Sequence, residues 1–462
     1  MNIVLISPYE IGRQPFGLAA PAALLRHAGH AVDCLDLSVQ KLDLARLAQA
    51  RLVGVYVAMH TATRIALEVL ARVREHAPQA HICVYGLYAP MNQALLRERG
   101  AGSILGGEFE PALLALAGRL QRGECEAPAE TVVDFPKVAF ITPERCALPA
   151  LSRYAHLVLP DGTTRTVGFA EASRGCKHLC RHCPVVPVYQ GKFRIIARQV
   201  VADDIRNQVA AGAAHISFGD PDFFNGPGHA LKVVRALHAE FPQVTYDATI
   251  KIEHLLRHRA HLAELKETGC LFITSAVEAV DDRILRYLDK GHTREHFIAA
   301  AGALRQAGIA LAPTFVAFTP WTTRRGYLDL LRQIAALGLV ESVPPVQWSI
   351  RLLVPAGSYL FNLPGFRERV RDFDPATLGH PWKHRDPRVD ALQKSVSQCA
   401  AQGEQEERPR SETFTEIWQL AHRTAGQTAP PLTAAHFGEA IPRLSEPWYC
   451  CAEPTEQQLV SF

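Results

Sequence analysis

Three closely spaced cysteines are the residues of this 462-residue chain that are best suited to chemistry. Cys176, Cys180 and Cys183 follow a C-x3-C-x2-C spacing, and they come shortly after an apolar run at 167–171 that is typical of a buried strand. Three thiolates on one short loop can hold three irons of a [4Fe–4S] cluster. The fourth iron then has no protein ligand and is free to bind a small molecule. We therefore predict that this loop is a cluster site.

The neighbouring residues of this loop are compatible with two kinds of metal site. The basic side chains of Arg174, Lys177 and Arg181 favour thiolates and a negatively charged cluster. Structural zinc takes four ligands, however, and His178 or His182 could complete a set with the cysteines. Zinc is therefore the alternative to the iron-sulfur cluster at this stage.

The first 122 residues predict a parallel sheet covered by helices. Short, nearly all-apolar runs alternate with segments of helical spacing, which is the pattern of strands buried on both faces. The strands are predicted at 3–6, 32–35, 52–57, 81–85 and 103–105. The helices are predicted at 16–27, 61–76, 91–99 and 110–120. We expect a doubly wound, flavodoxin-like sheet whose ligand crevice lies at the carboxyl ends of its strands.

The rest of the chain divides into three parts. Residues 123–165 lose periodicity and contain several prolines, which indicates a linker. Residues 166–355 predict six βα units and hence a partial, open (β/α)6 barrel with its chemistry at the carboxyl ends of its strands. Residues 356–462 predict an irregular C-terminal extension with one helix at 412–424, capped by Ser411. The barrel strands are predicted at 167–171, 215–219, 244–249, 271–277, 310–318 and 346–353, and the barrel helices at 199–211, 229–240, 254–267, 281–287, 294–307 and 324–337.

Composition excludes several classes of protein. The chain is 48% hydrophobic and 21% charged, which is ordinary for a globular protein. Its net charge is +3, from 49 Lys and Arg against 46 Asp and Glu, and this balance argues against a nucleic-acid partner. No apolar run reaches the roughly 18 residues of a membrane span. The N-terminus lacks the pattern of a signal peptide, so we expect a cytoplasmic protein.

The cysteine loop, placed after the first strand of a six-unit barrel, resembles that of the radical S-adenosylmethionine (SAM) superfamily. The resemblance implies that the free iron binds the amino and carboxylate groups of SAM, and that one electron breaks a carbon–sulfur bond. It places His182 near the adenine, Gly219 with Asp220 or Asp222 at the SAM amino group, and Glu278 at the ribose hydroxyls. A capped turn at 219–222 and a surface position for Glu278 are the alternatives. An electron donor such as a flavodoxin or ferredoxin is also implied.

A flavodoxin-like domain ahead of such a barrel resembles the cobalamin-binding class of this superfamily. That class usually carries D-x-H-x-x-G, whose histidine ligates cobalt, and residues 1–122 contain no such motif. The domain therefore either binds cobalamin without that histidine or serves as a lid, and the sequence leaves cobalamin open. The missing G-x-G-x-x-G after the first strand also argues against a dinucleotide.

The C-terminal tail carries a second cysteine pair, Cys450 and Cys451, within residues 448–454. It resembles the tail of a radical SAM group named for a terminal Cys-Cys-Ala-Glu-Pro or Cys-selenocysteine-Ala-Glu-Pro motif, and within it the enzymes of arsinothricin biosynthesis. The resemblance implies transfer of the 3-amino-3-carboxypropyl group of SAM to trivalent arsenic. Arsenic(III) is soft and prefers thiolates, so the pair could present or reduce such a substrate. The alternatives are a disulfide recycled during turnover, or inert cysteines in a tail that buries Trp448 and Tyr449.

These observations predict a radical SAM transferase of a SAM-derived alkyl group, with a small molecule such as arsenite as the acceptor. Two alternatives remain. One is a cobalamin-associated methyltransferase or another radical alkylation of a small molecule. The other, from a different class, is a non-catalytic metal-binding protein.

Overall fold

The first unit of the computed structural model, which describes residues 1–124 and 132–446, is a parallel sheet between two layers of helices. Its strands, in the described part, are β1 (Asn2–Ser7), β2 (Ala31–Asp36), β3 (Leu52–Tyr56), β4 (His81–Tyr85), β5 (Ser103–Gly107) and β6 (Val133–Asp134), in the order β2-β1-β3-β4-β5-β6. Its helices are α1 (Phe16–His27), α2 (Leu44–Ala48), α3 (His60–His76), α4 (Gln93–Glu98) and α5 (Glu110–Arg122).

The two faces of this sheet are built by alternate residues of each strand. In β1, Val4 and Ile6 join the apolar cluster that includes α3, whereas Ile3 and Leu5 join the cluster that includes α1 and α5. Successive side chains of a strand point to opposite faces, so an unbroken apolar run can serve both layers. The doubly wound architecture predicted from the sequence is confirmed.

The second unit is a curled sheet, a half-barrel with helices outside it. Its strands are β7 (His156–Val158), β8 (Thr164–Ala170), β11 (His215–Phe218), β12 (Thr245–Thr249), β13 (Cys270–Glu278), β14 (Ala310–Phe315) and β15 (Arg443–Leu444), in the order β14-β13-β12-β11-β8-β7-β15, and a small antiparallel pair is formed by β9 (Ser173–Gly175) and β10 (Phe193–Ile195). Its helices are α6 (Val185–Tyr189), α7 (Arg198–Ala210), α8 (Pro227–Glu240), α9 (Ile252–Arg257), α10 (Leu262–Glu267), α11 (Asp282–Leu288), α12 (Arg294–Gln306) and α13 (Arg324–Ala336). Strands β8 and β11 to β14 run parallel.

The predicted sixth barrel strand at 346–353 is wrong. Residues Pro345–Trp348 form a turn of 3-10 helix, and one parallel bridge between Phe318 and Arg351 is all that extends the sheet there within the described chain. Consecutive prolines at 344 and 345 lack N–H donors and restrict φ, which disfavours a paired strand. The Trp348 side chain is fully buried and packs against Phe414, at 5.1 Å between ring centroids.

The C-terminal extension is more helical than predicted. It contains α14 (Pro387–Gln405), α15 (Arg410–Thr424) and α16 (Ala434–Phe437). The sequence did not predict α14, and the predicted Ser411 cap is wrong, because α15 begins at Arg410 behind Pro409, with no side-chain cap. Phe414, Ile417 and Trp418 of α15 bury their side chains in the barrel core. None of the helices in the described chain is both long and apolar enough to span a membrane.

Candidate active site

The three cysteines of the C-x3-C-x2-C spacing lie on the loop between β9 and α6, and all three face one cavity. Cys176, Cys180 and Cys183 have free thiols, and the cavity has a volume of about 370 Å³. It lies between the carboxyl ends of the half-barrel strands and those of the first sheet, and both units contribute to its walls. The loop thus stands where an α/β sheet places its ligands.

The spacing of the thiols argues for a cluster rather than a single ion. Within residues 1–124 and 132–446, the one set of three potential ligands that converges within 4.8 Å is His178, Asp222 and His254. The cysteines do not form such a set, whereas thiolates around one tetrahedral zinc lie about 3.8 Å apart. The donor chemistry and the wider spacing therefore fit three corners of a [4Fe–4S] cluster.

Burial governs the protonation of these thiols. Desolvation raises the pKa of Cys176 above its ordinary value, and it raises that of Cys183 further. Without metal these groups are therefore neutral thiols. Iron binding must displace their protons, because thiolate is the form that ligates.

The basic residues that the sequence places beside the cysteines have other partners. The Arg174 guanidinium lies among three carboxylates, the Lys177 ammonium donates to a backbone carbonyl at 2.6 Å, and Arg181 donates to two carbonyls at 3.0 and 3.1 Å. Lys290, from the loop after α11, is buried and lines the cavity, as Arg174 also does. The Lys290 ammonium acts electrostatically on the Cys183 thiol. Lys290 lies more than a hundred residues after Cys183 in the sequence, so local sequence patterns do not show that the two side chains are neighbours.

Glu278 anchors a polar network at the end of β13. Its carboxylate accepts from Lys290 Nζ at 3.3 Å and lies 3.0 Å from His182 Nε2, and all three side chains line the cavity. Burial by itself would raise the pKa of Glu278, but Lys290 and His182 outweigh it and lower the pKa to about 2. The residue has a φ of 66°, at a register shift of the β13–β14 ladder. The left-handed backbone turns an ionised carboxylate into the cavity rather than onto the outer surface.

Gly219 and Asp220 follow β11 and have different surroundings. Gly219 lines the cavity, and a Cβ at this position would come within 2.1 Å of the Phe169 ring, so only glycine fits. The Asp220 carboxylate is buried away from the cavity, where it accepts from the Ser173 hydroxyl and, at 3.0 Å, from the Ala172 amide. Burial raises its pKa to about 7. This placement does not support a direct contact between Asp220 and the SAM amino group.

The Arg174 side chain joins the two units beneath the cavity. It pairs with Glu171 of its own unit at 3.0 Å and with Glu108 and Glu110 of the first unit, and all of these groups are largely buried. Burial raises the pKa of Glu108 to about 7, which Arg174 only partly offsets. Three carboxylates around one cation also leave excess negative charge, so Glu108 titrates near neutral pH.

Comparison with known proteins identifies the second unit. Residues 171–322 match the family model described as the radical SAM superfamily. The chain contains a radical SAM domain. The match favours an enzyme over the non-catalytic alternative. The matched residues include the three cysteines, Gly219 and Glu278, so the cavity described above is the cavity of that domain.

The curated relatives of this chain are distant. The chain is 25% identical over 333 residues to the hopanoid C-3 methylase of Methylococcus capsulatus, over 69% of this chain and 64% of the relative. It is 24% identical over 288 residues to the tRNA-2-methylthio-N(6)-dimethylallyladenosine synthase of Novosphingobium aromaticivorans, over 54% of this chain and 62% of the relative. The chain thus spans a little less than two thirds of both relatives.

Solved structures agree with the fold of both units. The cobalamin-dependent SAM radical enzyme OxsB superposes with a TM-score of 0.69 and 14% identity, over 87% of this chain and 66% of that chain. The radical SAM methyltransferase TsrM from Kitasatospora setae gives 0.59 and 17%, over 73% of each chain. At these identities the likeness concerns architecture, namely an N-terminal parallel sheet followed by a half-barrel.

The first unit of the chain lines the cavity with aromatic side chains, among them Tyr56 and Phe109. Tyr56, Tyr85 and Phe109 pack together at the carboxyl ends of β3, β4 and β5, with ring centroids 4.9 to 6.2 Å apart. Among the residues described before position 125, no histidine lines the cavity. These residues do not fit a corrinoid ligated by a histidine of this unit.

The predicted tail pair, Cys450 and Cys451, lies outside the described residues. The chain is described up to Glu446, whose carboxylate accepts from the Tyr9 hydroxyl. Glu446 lines a smaller cavity of about 60 Å³ that shares wall residues with the active-site cavity, among them Ile11 and Arg13. The described chain therefore ends beside the active site.

Proposed function

We propose that this radical SAM enzyme transfers an alkyl group derived from SAM to a small molecule. The observation that carries the proposal is one cavity, lined by the three cysteines, Gly219 and Glu278 on the barrel side and by aromatic rings on the other. A cavity between two units holds a reactive carbon fragment near its acceptor and limits its contact with water. Its volume of about 370 Å³ favours a small acceptor. The methylase and methyltransferase names of the relatives agree with alkyl transfer.

We further propose that the group is 3-amino-3-carboxypropyl and that the acceptor is trivalent arsenic. The support is the cysteine pair of the tail together with the point at which that tail begins. Cys450 follows Glu446 by four residues, which span at most about 14 Å when extended. A soft thiophilic acceptor held by two thiolates at this distance would be delivered to the cavity mouth.

The proposed reaction balances without an external oxidant. A cluster held by the three cysteines, once reduced by a flavodoxin- or ferredoxin-like donor, would supply one electron for breaking a carbon–sulfur bond of SAM. Overall, the bond between sulfur and the aminocarboxypropyl carbon breaks and a carbon–arsenic bond forms. SAM and arsenous acid give methylthioadenosine, the alkylarsonic acid and one proton. Arsenic rises from the trivalent to the pentavalent state: one of its electrons pairs with the carbon radical in the new bond and the other would return to the cluster, so the donor is needed only to prime the cluster.

Product analysis tests the proposed bond cleavage. Reconstituted enzyme is incubated without oxygen with SAM, a reductant and arsenite, and the nucleosides are separated. We expect methylthioadenosine and an alkylarsenic product, both dependent on arsenite. 5′-Deoxyadenosine as the main nucleoside, or turnover independent of arsenite, would contradict the arsenic proposal.

The tail is tested with a double variant, Cys450→Ser with Cys451→Ser. We expect it to keep the cluster absorbance but to lower product formation at least tenfold, because serine hydroxyls bind arsenic(III) weakly. Cys146→Ser is the matched control, because Cys146 is an exposed free thiol that lies outside the cavity wall. Equal activity of the double variant and the control would show that the tail thiols have no chemical role.

A cobalamin-associated alkyl transfer is the second candidate. The observation in its favour is the likeness of both units to OxsB and TsrM, whose structures hold cobalamin. The aromatic side chains packed at the carboxyl ends of the first sheet argue against bound cobalamin. The visible spectrum of enzyme expressed with cobalamin supplied decides between them, since a bound corrinoid at one per chain would favour this candidate.

A further inference from the structure

A second cluster of metal-ligand side chains lies beside the cysteine loop and takes no part in the cavity. It consists of His178 in the cysteine loop, Asp222 after β11 and His254 on α9. The His178 and His254 Nε2 atoms are 3.3 Å apart, and His178 Nε2 lies 3.7 Å from Asp222 Oδ2. Three separate elements of the fold thus bring two imidazoles and a carboxylate to one point.

The carboxylate oxygen at this point has no hydrogen-bond donor. Asp222 is fully buried, and its Oδ1 atom accepts from the backbone amides of Phe224 and Lys251, at 3.3 Å each. Its Oδ2 atom accepts no hydrogen bond. His254 Nδ1 lies only 2.6 Å away, but it too is buried and makes no hydrogen bond, because its ring is not aligned for donation. Buried polar atoms left without partners are costly, so their convergence points to a missing cation.

The donor set matches a first-row transition metal. Two imidazole nitrogens with one carboxylate oxygen are typical ligands of zinc, at bond lengths of about 2.0 to 2.2 Å. Ligand atoms around a tetrahedral ion of that kind lie about 3.4 Å apart, close to the observed 3.3 and 3.7 Å. The 2.6 Å between His254 Nδ1 and Asp222 Oδ2 is too short for two ligands of one ion, so His254 would ligate through Nε2. Glu253, whose Oε2 is 3.9 Å from His178 Nδ1, adds negative charge, and the neighbouring Lys251 ammonium is paired with it at 3.6 Å.

We propose that His178, Asp222 and His254 bind one divalent transition-metal ion, with zinc as the natural occupant, separately from the cluster cysteines. The ion would fasten the cysteine loop to the barrel, because His178 stands between Cys176 and Cys180 while the other ligands belong to the strand ends. Three protein ligands leave a fourth position for water. This proposal does not depend on the substrate of the enzyme.

Metal analysis of anaerobically purified enzyme tests the proposal directly. We expect about one zinc per chain in addition to the iron of the cluster. His254→Gln should reduce zinc at least tenfold while most of the iron remains. His258→Gln is the matched control, because its ring lies 5.8 Å from that of His254 and supplies no ligand to the set. It should keep both metals.

A cysteine-free variant separates this site from zinc held by the cluster loop. Cys176→Ala with Cys180→Ala and Cys183→Ala should lose iron but retain zinc, and cobalt(II) added to its metal-free form should give visible bands without thiolate charge transfer. Asp222→Asn keeps an acceptor for the two backbone amides, so it tests the site even if His254→Gln fails to fold. Zinc that disappears with the cysteines, or wild-type enzyme that neither contains nor takes up one zinc or cobalt per chain, would overturn the proposal.

Discussion

Both sheets of this protein turn the carboxyl ends of their strands toward the same cavity, but they present different chemistry there. The first sheet offers the rings of Tyr56 and Phe109, which pack against the Tyr85 ring in the core of that unit. The half-barrel offers three thiols together with an ionised carboxylate, Glu278, and a buried ammonium, Lys290. The edge of the first sheet that faces the cavity is thus apolar and filled by side chains, and we call it the filled edge. The corresponding edge of the half-barrel carries the thiols and charged groups, and we call it the reactive edge.

The difference shows that an α/β topology supplies a place for a ligand but not its chemistry. In the half-barrel the strand ends carry groups that can hold a cluster and SAM. In the first unit the same location is lined by the protein's own aromatic side chains, Tyr56 and Phe109. The Arg174 ion pairs with Glu108 and Glu110 join this unit to the barrel.

The sharpest way to test the reactive edge is to remove one cluster ligand. Cys183→Ala should abolish the iron-sulfur absorbance and reduce turnover by about three orders of magnitude or more, because no other part of the site supplies the electron. Cys399→Ala, on α14 far from the cavity wall, should retain cluster and activity. Full turnover in the Cys183 variant would show that the reaction does not need the thiols of the half-barrel, and the contrast between the two sheet edges would then fail.

The filled edge is tested by truncating a ring. Phe109→Ala should lower the free energy of unfolding by about 3 to 4 kcal/mol, because it leaves a cavity beside Tyr85. Anaerobic denaturant titration measures the change. Leu44→Ala, at a position 41% exposed on α2, should cost less than about 0.5 kcal/mol. If Phe109→Ala lowered the free energy of unfolding no more than Leu44→Ala does, the packing of these rings would not stabilise the first unit.

The junction between the two units should make stability depend on pH. The folded pKa of Glu108, about 7, lies above its ordinary value of 4.5. Between these values the folded state keeps a proton that the unfolded chain releases, so stability falls as pH rises from about 4.5 to about 7. The fall should reach about 3 kcal/mol. Unfolding titrations at pH 5 and 7.5 should show a smaller decline for Glu108→Gln than for wild type, and an unchanged slope would contradict this assignment.

A smaller effect is expected from the polar network of the reactive edge. Glu278→Gln keeps a group that can bond His182 but loses the ion pair with Lys290, and we expect the Kd for SAM to rise about tenfold, or about 1.4 kcal/mol. Equilibrium binding to reconstituted enzyme measures it, with thermal melts as a check on folding. Glu253→Gln, outside the cavity wall, is the control. Unchanged SAM affinity in Glu278→Gln would place SAM elsewhere.

Local sequence patterns predicted the strands and most helices to within a few residues, because apolar runs and helical spacing are properties of short segments. They failed where tertiary packing overrode them. Residues 346–353 are apolar enough for a strand, but two prolines and the burial of Trp348 give a 3-10 turn instead. Helix α14 was missed because only its contact with α15 and the barrel shows which of its faces is apolar.

The sequence by itself determined the cysteine loop, the order of the two α/β units and the absence of a cobalt-binding histidine motif, since each is a matter of residue type and spacing. The tertiary structure decided which charges face the thiols. It brought Lys290 to the cavity in addition to Arg174, paired Glu278 with His182, and joined His178, Asp222 and His254 at one point. These partners come from different strand ends, and their proximity depends on how the sheet curls.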